Sequence, residues 1–222
     1  MPAQFTGYAP TRFPPLQRVK LNGNNSVTGD MVQLLLIRPG TTEYDQQGRI
    51  QGTLNIPLCE DGRQQVQTMV EELRGQPIAA IYSSPSQSAE QTAECLGEAL
   101  DLKVKTIDKF ENLDHGLWQG MLVSDVKAKQ PKVYRQWQEQ PENVCPPQGE
   151  TLSLAKQRVS AALTKLIKKH KTDGLFAVVA PEPLASVIRH VVRHDAWGDL
   201  WHGACGTQRW QLIEVPETAA AK

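Results

Sequence analysis

Short apolar runs alternate with longer amphipathic stretches along this chain. Runs of strand length lie at residues 31–37, 78–82, 104–107, 175–179 and 208–215. Between them, apolar residues recur at the i, i+3, i+4, i+7 spacing of a helix, first at residues 66–73 and then over 89–100, 152–167 and 184–191. Strands and helices that alternate in this way predict an α/β fold, a three-layer αβα sandwich with a mostly parallel sheet.

Two segments do not follow this alternation. Residues 1–30 are rich in Pro, Gly and Asn and carry the aromatic residues Phe5, Tyr8 and Phe13. They predict an extended N-terminal arm, which either docks on the domain or a partner or forms a loosely ordered tail. Residues 121–149 are interrupted by four prolines and predict a short helix and an irregular loop, a lid-like insertion over a cleft. The rest of residues 31–222 is expected to form one domain.

Composition excludes several classes of partner. Lys plus Arg and Asp plus Glu each total 24, so no overall field favours nucleic acid or an anionic membrane. No apolar run approaches the ~20 residues of a membrane span, and no signal peptide is recognisable, so a cytoplasmic protein is expected. The four cysteines, Cys59, Cys95, Cys145 and Cys205, form no C-x-x-C pair. We interpret them as free thiols and expect neither a metal nor a cofactor.

The first candidate for a functional residue is Arg38, which directly follows the first predicted strand. In open α/β sheets, ligands bind outside the carboxyl ends of the strands. Arg38 is therefore expected to point into a binding cleft.

The residues that follow Arg38 resemble a known signature. The chain reads R-P-G-T-T from Arg38, then Asp45, then G-R-I-Q-G from Gly48 and N-I-P-L from Asn55. This is similar to R-H-G-E-T-x-x-N, G-R-x-Q-G and D-x-P-L of the histidine phosphatase superfamily, the phosphoglycerate-mutase-like proteins. The resemblance extends to about residue 215 and implies that fold, with phosphatase or phosphoglycerate mutase activity in the family.

The residues that carry the family's chemistry are replaced in this chain. Pro39 stands where the phosphorylated histidine belongs, and Pro181 stands at the second histidine. The remaining replacements are Asp45 for an asparagine, Ser88 for a phosphate-binding arginine, Asn112 for the proton-donating glutamate and Glu182 for a glycine. Two scaffold motifs are kept, Gly149-Glu150-Thr151 and Arg158-Val159. Arg38, Pro39, Asp45, Ser88, Asn112, Pro181 and Glu182 are thus expected to form a degenerate pocket.

These replacements predict a loss of catalysis. The proline nitrogen is part of the backbone, so Pro39 cannot attack phosphorus and Pro181 cannot donate a hydrogen bond. A carboxylate such as Asp45, ~4 Å from a phosphate oxygen, would repel it by roughly 4 kcal/mol at an effective dielectric near 20, so poor binding of phosphomonoesters is expected. The sequence therefore predicts a catalytically inactive pseudoenzyme, a binding or regulatory module for an unknown protein partner or small ligand.

Two alternatives stay open. One is a weak or altered phosphatase or phosphomutase for small phosphoesters that uses Asp45 or His115, although the family motif implies a packing role for residue 115. The other is a structural subunit with a closed cleft. A second copy of the chain, in a homo-oligomer, is among the partners considered. His190 and His194 have the i, i+4 spacing of some zinc ligands, but Arg189 and Arg193 flank them, so a solvent-facing basic stripe is predicted. His202 is expected to pack within a loop.

Overall fold

A five-stranded sheet forms the centre of the molecule. The computed structural model describes residues 32–171, 174–197, 200–201 and 209–216. The strands are β1 (Gln33–Ile37), β2 (Ile81–Ser83), β3 (Val104–Thr106), β4 (Leu175–Val179) and β5 (Trp210–Glu214), in the order β3-β2-β4-β1-β5. All neighbours are parallel except β5, which runs antiparallel to β1. The predicted, mostly parallel sheet is confirmed.

Seven α-helices surround the sheet in the described part of the chain. They are α1 (Glu43–Gln47), α2 (Glu60–Leu73), α3 (Gln87–Leu100), α4 (Val123–Lys129), α5 (Pro131–Glu139), α6 (Leu152–Lys169) and α7 (Leu184–Arg193). The long helix α6 begins after Thr151, whose side-chain oxygen accepts a hydrogen bond from the backbone N–H of Leu154. A threonine in this place satisfies one of the unpaired N–H groups of the first turn.

Alternate residues of β1 enter two separate hydrophobic cores. Leu34 and Leu36 pack on the face that carries α6 and α7, whereas Leu35 and Ile37 pack on the face that carries α2 and α3. Both faces of the strand are buried, which accounts for its continuous apolar sequence. The three-layer sandwich is thereby confirmed.

Helix α1 was not predicted from the sequence. Its N-terminus is a capping box, in which the Asp45 backbone N–H donates to the Thr42 hydroxyl and the Asp45 carboxylate accepts from the Thr42 backbone N–H. The T-x-x-D spacing is a signal that could have revealed this helix.

Residues 121–149 are more regular than expected. They form α4, α5 and a 3-10 turn at Pro141–Asn143, and Trp137 of α5 is 2% exposed. The segment packs on the core through this side chain, and its action as a lid stays a prediction. The predicted arm, residues 1–30, lies outside the described residues, as do Cys205 and His202. None of the described helices is long and apolar enough to cross a membrane.

Candidate active site

A cleft of about 260 Å³ opens at the carboxyl ends of β1 and β4. This volume lies just below the ≈ 300–1,000 Å³ of pockets that hold drug-sized molecules, so the cleft suits a small ligand. Six of the seven predicted pocket residues line it, namely Arg38, Pro39, Asp45, Ser88, Pro181 and Glu182. The loops after two neighbouring parallel strands supply four of them, as expected for a ligand site in an open α/β sheet.

Asn112, the seventh predicted residue, supports the cleft from behind. Its side chain is 1% exposed, and its amide nitrogen donates to the carbonyls of Gly52 and Glu182, each at 3.0 Å. Its amide oxygen accepts from the Leu184 backbone N–H at 3.2 Å. Asn112 therefore ties the loop after Ile50 to the loop after β4.

A second arginine, Arg209, lies beside Arg38 in the cleft. The backbone N–H of Arg38 donates to the Arg209 carbonyl at 2.7 Å. The Arg209 guanidinium donates to the Pro39 carbonyl at 2.8 Å and to the Thr41 hydroxyl. Sequence reasoning missed Arg209, since it belongs to none of the quoted motifs and reaches the cleft only because β5 returns antiparallel to β1.

The two guanidinium groups make the cleft cationic. Burial, followed by the charge of Arg38, lowers the pKa of Arg209, while Asp45 and Cys59 act in the opposite direction. A third guanidinium, that of Arg49, also lines the cleft and donates to the Gly120 carbonyl at 2.6 Å. Two arginines besides Arg38 therefore line the cleft.

Both carboxylates of the cleft accept hydrogen bonds at the N-terminus of a helix. Asp45 Oδ2 accepts from the backbone N–H of Thr42 at 2.7 Å and from its hydroxyl at 2.8 Å. Glu182 Oε2 accepts from the backbone N–H of Ser186 at 3.1 Å and from its hydroxyl at 2.7 Å, and Glu182 Oε1 lies 3.5 Å from a guanidinium nitrogen of Arg189. These hydrogen bonds and the Arg189 guanidinium offset part of the negative charge, so the repulsion of a phosphate is weaker than bare carboxylates would produce.

Two buried polar side chains face the cleft with unused hydrogen-bonding capacity. Ser88 is 0% and His115 is 1% exposed, and both line the cleft. Among the described residues, the Ser88 hydroxyl and both ring nitrogens of His115 have no hydrogen-bond partner. Buried polar groups are usually satisfied, so such atoms in a cleft indicate a place for a polar ligand.

The His115 imidazole is neutral at pH 7. Burial lowers its pKa to about 4. Its ring lies edge to face against Trp137, with 5.4 Å between centroids, and Trp137 in turn stacks on Trp201 at 5.6 Å. The packing role predicted for residue 115 is thus present, together with a position on the cleft wall.

The loop that carries His115 is held by the preserved Glu150 and Arg158. Their side chains form an ion pair, and Glu150 also accepts from the Asp114 backbone N–H at 3.2 Å. Arg158 donates to the carbonyls of Lys109, Glu111 and Asn112. The two scaffold motifs therefore fix the position of the loop between β3 and α4.

His190 and His194, which the sequence also singled out, do not line this cleft. His190 is half-buried, with its ring stacked on Trp197 at 3.8 Å and its nitrogens near Lys156 Nζ and the Asp195 carbonyl. The sequence predicted that His190 faces solvent, whereas the structure shows it packed against Trp197. Among the described residues, no group of three or more His, Cys, Asp or Glu side chains could hold a metal ion.

The fold and the cleft together define an α/β protein with three arginines in a cleft at the carboxyl ends of its parallel strands. The chain belongs to the histidine phosphatase superfamily, since the family model described as "Histidine phosphatase superfamily (branch 1)" matches residues 34–218. This confirms the resemblance found in the sequence.

Individual relatives are similar over most of the chain. Phosphoserine phosphatase 1 of Hydrogenobacter thermophilus is 32% identical over 187 residues, 84% of this chain and 88% of the relative. The probable phosphoglycerate mutase GpmB of Salmonella arizonae is 25% identical over 169 residues, 76% of this chain and 79% of the relative. A structure of mycobacterial glucosyl-3-phosphoglycerate phosphatase complexed with VO3 has a TM-score of 0.70 at 25% identity, covering 83% of this chain and 98% of that one.

These comparisons contradict the prediction of a catalytically inactive module. The relatives are named as phosphatases and a phosphoglycerate mutase, so an enzyme of this family is better supported than a non-enzyme. The prediction counted the motif side chains that are replaced and missed Arg209, which adds a guanidinium to the cleft. His115, which the phosphatase alternative named, adds an unprotonated imidazole.

Proposed function

We propose that this protein is a phosphatase that hydrolyses small phosphomonoesters in the cleft beside Arg38 and Arg209. The observation that carries the proposal is the pair of adjacent guanidinium groups, one of them with a pKa lowered by burial and by the other. Two like charges held together are stabilised by an anion between them, and planar guanidinium groups match phosphate oxygens in bidentate geometry.

The phosphoryl group would be bound by donors from three parts of the chain. Arg38 and Arg209 supply charge-assisted hydrogen bonds, and the buried Ser88 hydroxyl supplies a neutral one. Arg209 is already oriented by the Pro39 carbonyl, so its guanidinium needs little reorganisation when the anion enters. In this arrangement residue 39 contributes through its backbone oxygen instead of a side-chain nucleophile.

His115 would accept the proton of the attacking water. Its unprotonated nitrogen takes a proton from water, the water oxygen bonds to phosphorus and the bond from phosphorus to the ester oxygen breaks. The leaving ester oxygen then takes up a proton, which the imidazolium of His115 gives up through solvent. The products are the alcohol and inorganic phosphate, and His115 is neutral again. A base with a pKa of about 4 is weak at neutral pH, and hydrolysis is therefore expected to be slow.

Asp45 is the second candidate base. Its Oδ2 already accepts two hydrogen bonds from Thr42, so this oxygen is occupied and cannot readily accept a proton from water. His115, with no hydrogen-bond partner among the described residues, suits the role better.

Phosphate release from p-nitrophenyl phosphate and a panel of small phosphomonoesters tests this proposal. Turnover by the wild-type protein is expected to fall by about 100-fold or more in His115→Asn, within the usual contribution of a general base. It is expected to rise in Asp45→Asn, because a negative charge is removed near the phosphate. Absence of turnover in the wild-type protein, or turnover that disappears only in Asp45→Asn, would contradict it.

A further inference from the structure

Glu182 gives the cleft a second polar feature besides its arginines. Glu182 Oε2 is fixed by two hydrogen bonds from Ser186, at 3.1 Å from the backbone N–H and 2.7 Å from the hydroxyl. Glu182 Oε1 is buried and has no hydrogen-bond partner among the described residues, although the residue lines the cleft. One oxygen of this carboxylate is therefore anchored, and the other keeps an acceptor position that no described residue fills with a hydrogen bond.

The open oxygen selects ligand groups that donate a hydrogen bond. An ionised carboxylate only accepts, so a hydroxyl or an ammonium group would satisfy Oε1, whereas a carboxylate or a second phosphate would be repelled. Arg189 lies 3.5 Å from Oε1 and balances part of its charge, but without hydrogen-bond geometry. Arg189 therefore offsets part of the charge of Oε1 but does not donate a hydrogen bond to it.

A hydroxyl fits this cleft better than an ammonium group. Arg38, Arg49 and Arg209 all line the same cleft and would repel a ligand cation. The remaining wall includes Leu200 and Trp201, which offer apolar contact for a short carbon chain. A neutral hydroxylated alcohol meets all of these requirements.

We propose that the substrates are monophosphates of small polyhydroxylated alcohols without a second anionic group, with a free hydroxyl donating to Glu182 Oε1. The proposal rests on the proposed phosphatase function for its substrate role. Its binding preference, however, can be measured without turnover. The phosphate lies against Arg38 and Arg209, and the alcohol lies against Glu182 and Trp201.

Glycerol 3-phosphate and 3-phosphoglycerate form a matched pair of probes, because they differ by a hydroxymethyl group in place of a carboxylate. We expect calorimetric titration of the wild-type protein to give at least about tenfold tighter binding of glycerol 3-phosphate, a difference of about 1.4 kcal/mol. Equal binding, preference for 3-phosphoglycerate, or binding of neither compound would overturn the proposal.

Glu182→Gln gives a sharper test. The backbone N–H of Ser186 still requires an oxygen, so the new amide nitrogen takes the place of Oε1 and turns an acceptor into a donor. The preference for glycerol 3-phosphate is expected to fall by about tenfold or more. Glu139→Gln, at an exposed position on α5, makes the same chemical change away from the cleft and should leave the preference unaltered. An unaltered preference in Glu182→Gln would overturn the assignment to Glu182.

The two proposals fail in different ways. Preferential binding of glycerol 3-phosphate without release of phosphate would refute the phosphatase function and support the ligand class. Hydrolysis of p-nitrophenyl phosphate without any preference between the matched probes would refute the ligand class and support the phosphatase function. The wild-type preference is measured on the native protein and does not depend on whether Glu182→Gln folds.

Discussion

Arg38 and Arg209 meet across the junction of β1 and β5, with the Arg38 backbone N–H 2.7 Å from the Arg209 carbonyl oxygen. Ile37 pairs with Trp210 in the antiparallel ladder, so the residue after β1 faces the residue before β5. The register of one strand pair thus places two guanidinium groups in the same cleft. This relationship underlies the proposed anion site.

Removal of the Arg209 guanidinium should weaken phosphate binding. We expect Arg209→Ala to raise the Kd of inorganic phosphate by about 10- to 100-fold, since a charge-assisted hydrogen bond contributes roughly 1.5–3 kcal/mol. Arg209→Lys keeps the charge without the planar fork and should recover only part of the affinity. Calorimetric titration measures both, and equal affinity in all three proteins would exclude Arg209 from the site.

Asp45→Asn should have the opposite effect on phosphate binding. The amide oxygen can still accept from the Thr42 backbone N–H, so α1 keeps its cap while the negative charge near Arg209 is removed. A Kd for inorganic phosphate lower by about 3- to 10-fold is expected, equivalent to roughly 0.7–1.4 kcal/mol. Thermal unfolding serves as the control for the cap. Weaker phosphate binding by a folded variant would show that the carboxylate assists the ligand.

His115 should make the free energy of unfolding depend on pH. Burial lowers its pKa to about 4 in the folded protein, whereas an unfolded histidine titrates near 6.5. Between these two pH values the unfolded state therefore binds more protons than the folded state. The contribution of neutral His115 to the free energy of unfolding is complete above about pH 6.5 and is lost as the pH falls to about 4. The loss is on the order of 3 kcal/mol. Urea unfolding at several pH values in this range should show that the free energy of unfolding changes less steeply with pH in His115→Gln than in the wild type. An identical pH dependence in both proteins would contradict the buried neutral state.

Arg158 is expected to matter for stability more than for chemistry. It pairs with Glu150 and donates to three carbonyls of the loop that carries His115, and its side chain is 23% exposed. Removing one partner of a largely buried pair leaves the other charge uncompensated, so Arg158→Ala should lower the free energy of unfolding by about 3–5 kcal/mol. The exposed pair of Arg74 and Glu71 provides a matched control, and Arg74→Ala should change it by less than about 1 kcal/mol. Similar losses in both variants in urea unfolding would refute this role.

The sequence predicted the features that depend on local patterns. The apolar runs located the strands, the family motif located Pro39, Ser88 and Pro181 on one cleft, and the rule for strand ends placed Arg38 there. Arg209 could not be found in this way, because only the pairing of distant strands brings it to Arg38. Asn112 was assigned to the pocket by its motif, but its side-chain amide nitrogen and oxygen are used by the backbone of neighbouring loops.

His115 shows how one residue can satisfy two interpretations. The motif frame gave it a packing role, and its ring does contact Trp137. Its unpartnered nitrogens on the cleft wall could not be predicted, since they depend on which neighbouring groups supply hydrogen bonds after folding. The prediction of inactivity was wrong for a related reason, as it took the family motifs to be the whole of the site.

Steady-state release of phosphate by the wild-type protein and the Arg38→Ala, Arg209→Ala double variant tests the central claim most directly. With glycerol 3-phosphate or p-nitrophenyl phosphate as substrate, we expect measurable kcat/KM for the wild type and a loss of at least about 100-fold, or 2.7 kcal/mol, in the folded double variant. No turnover by the wild type, or equal turnover by both proteins, would contradict a phosphatase site built on Arg38 and Arg209.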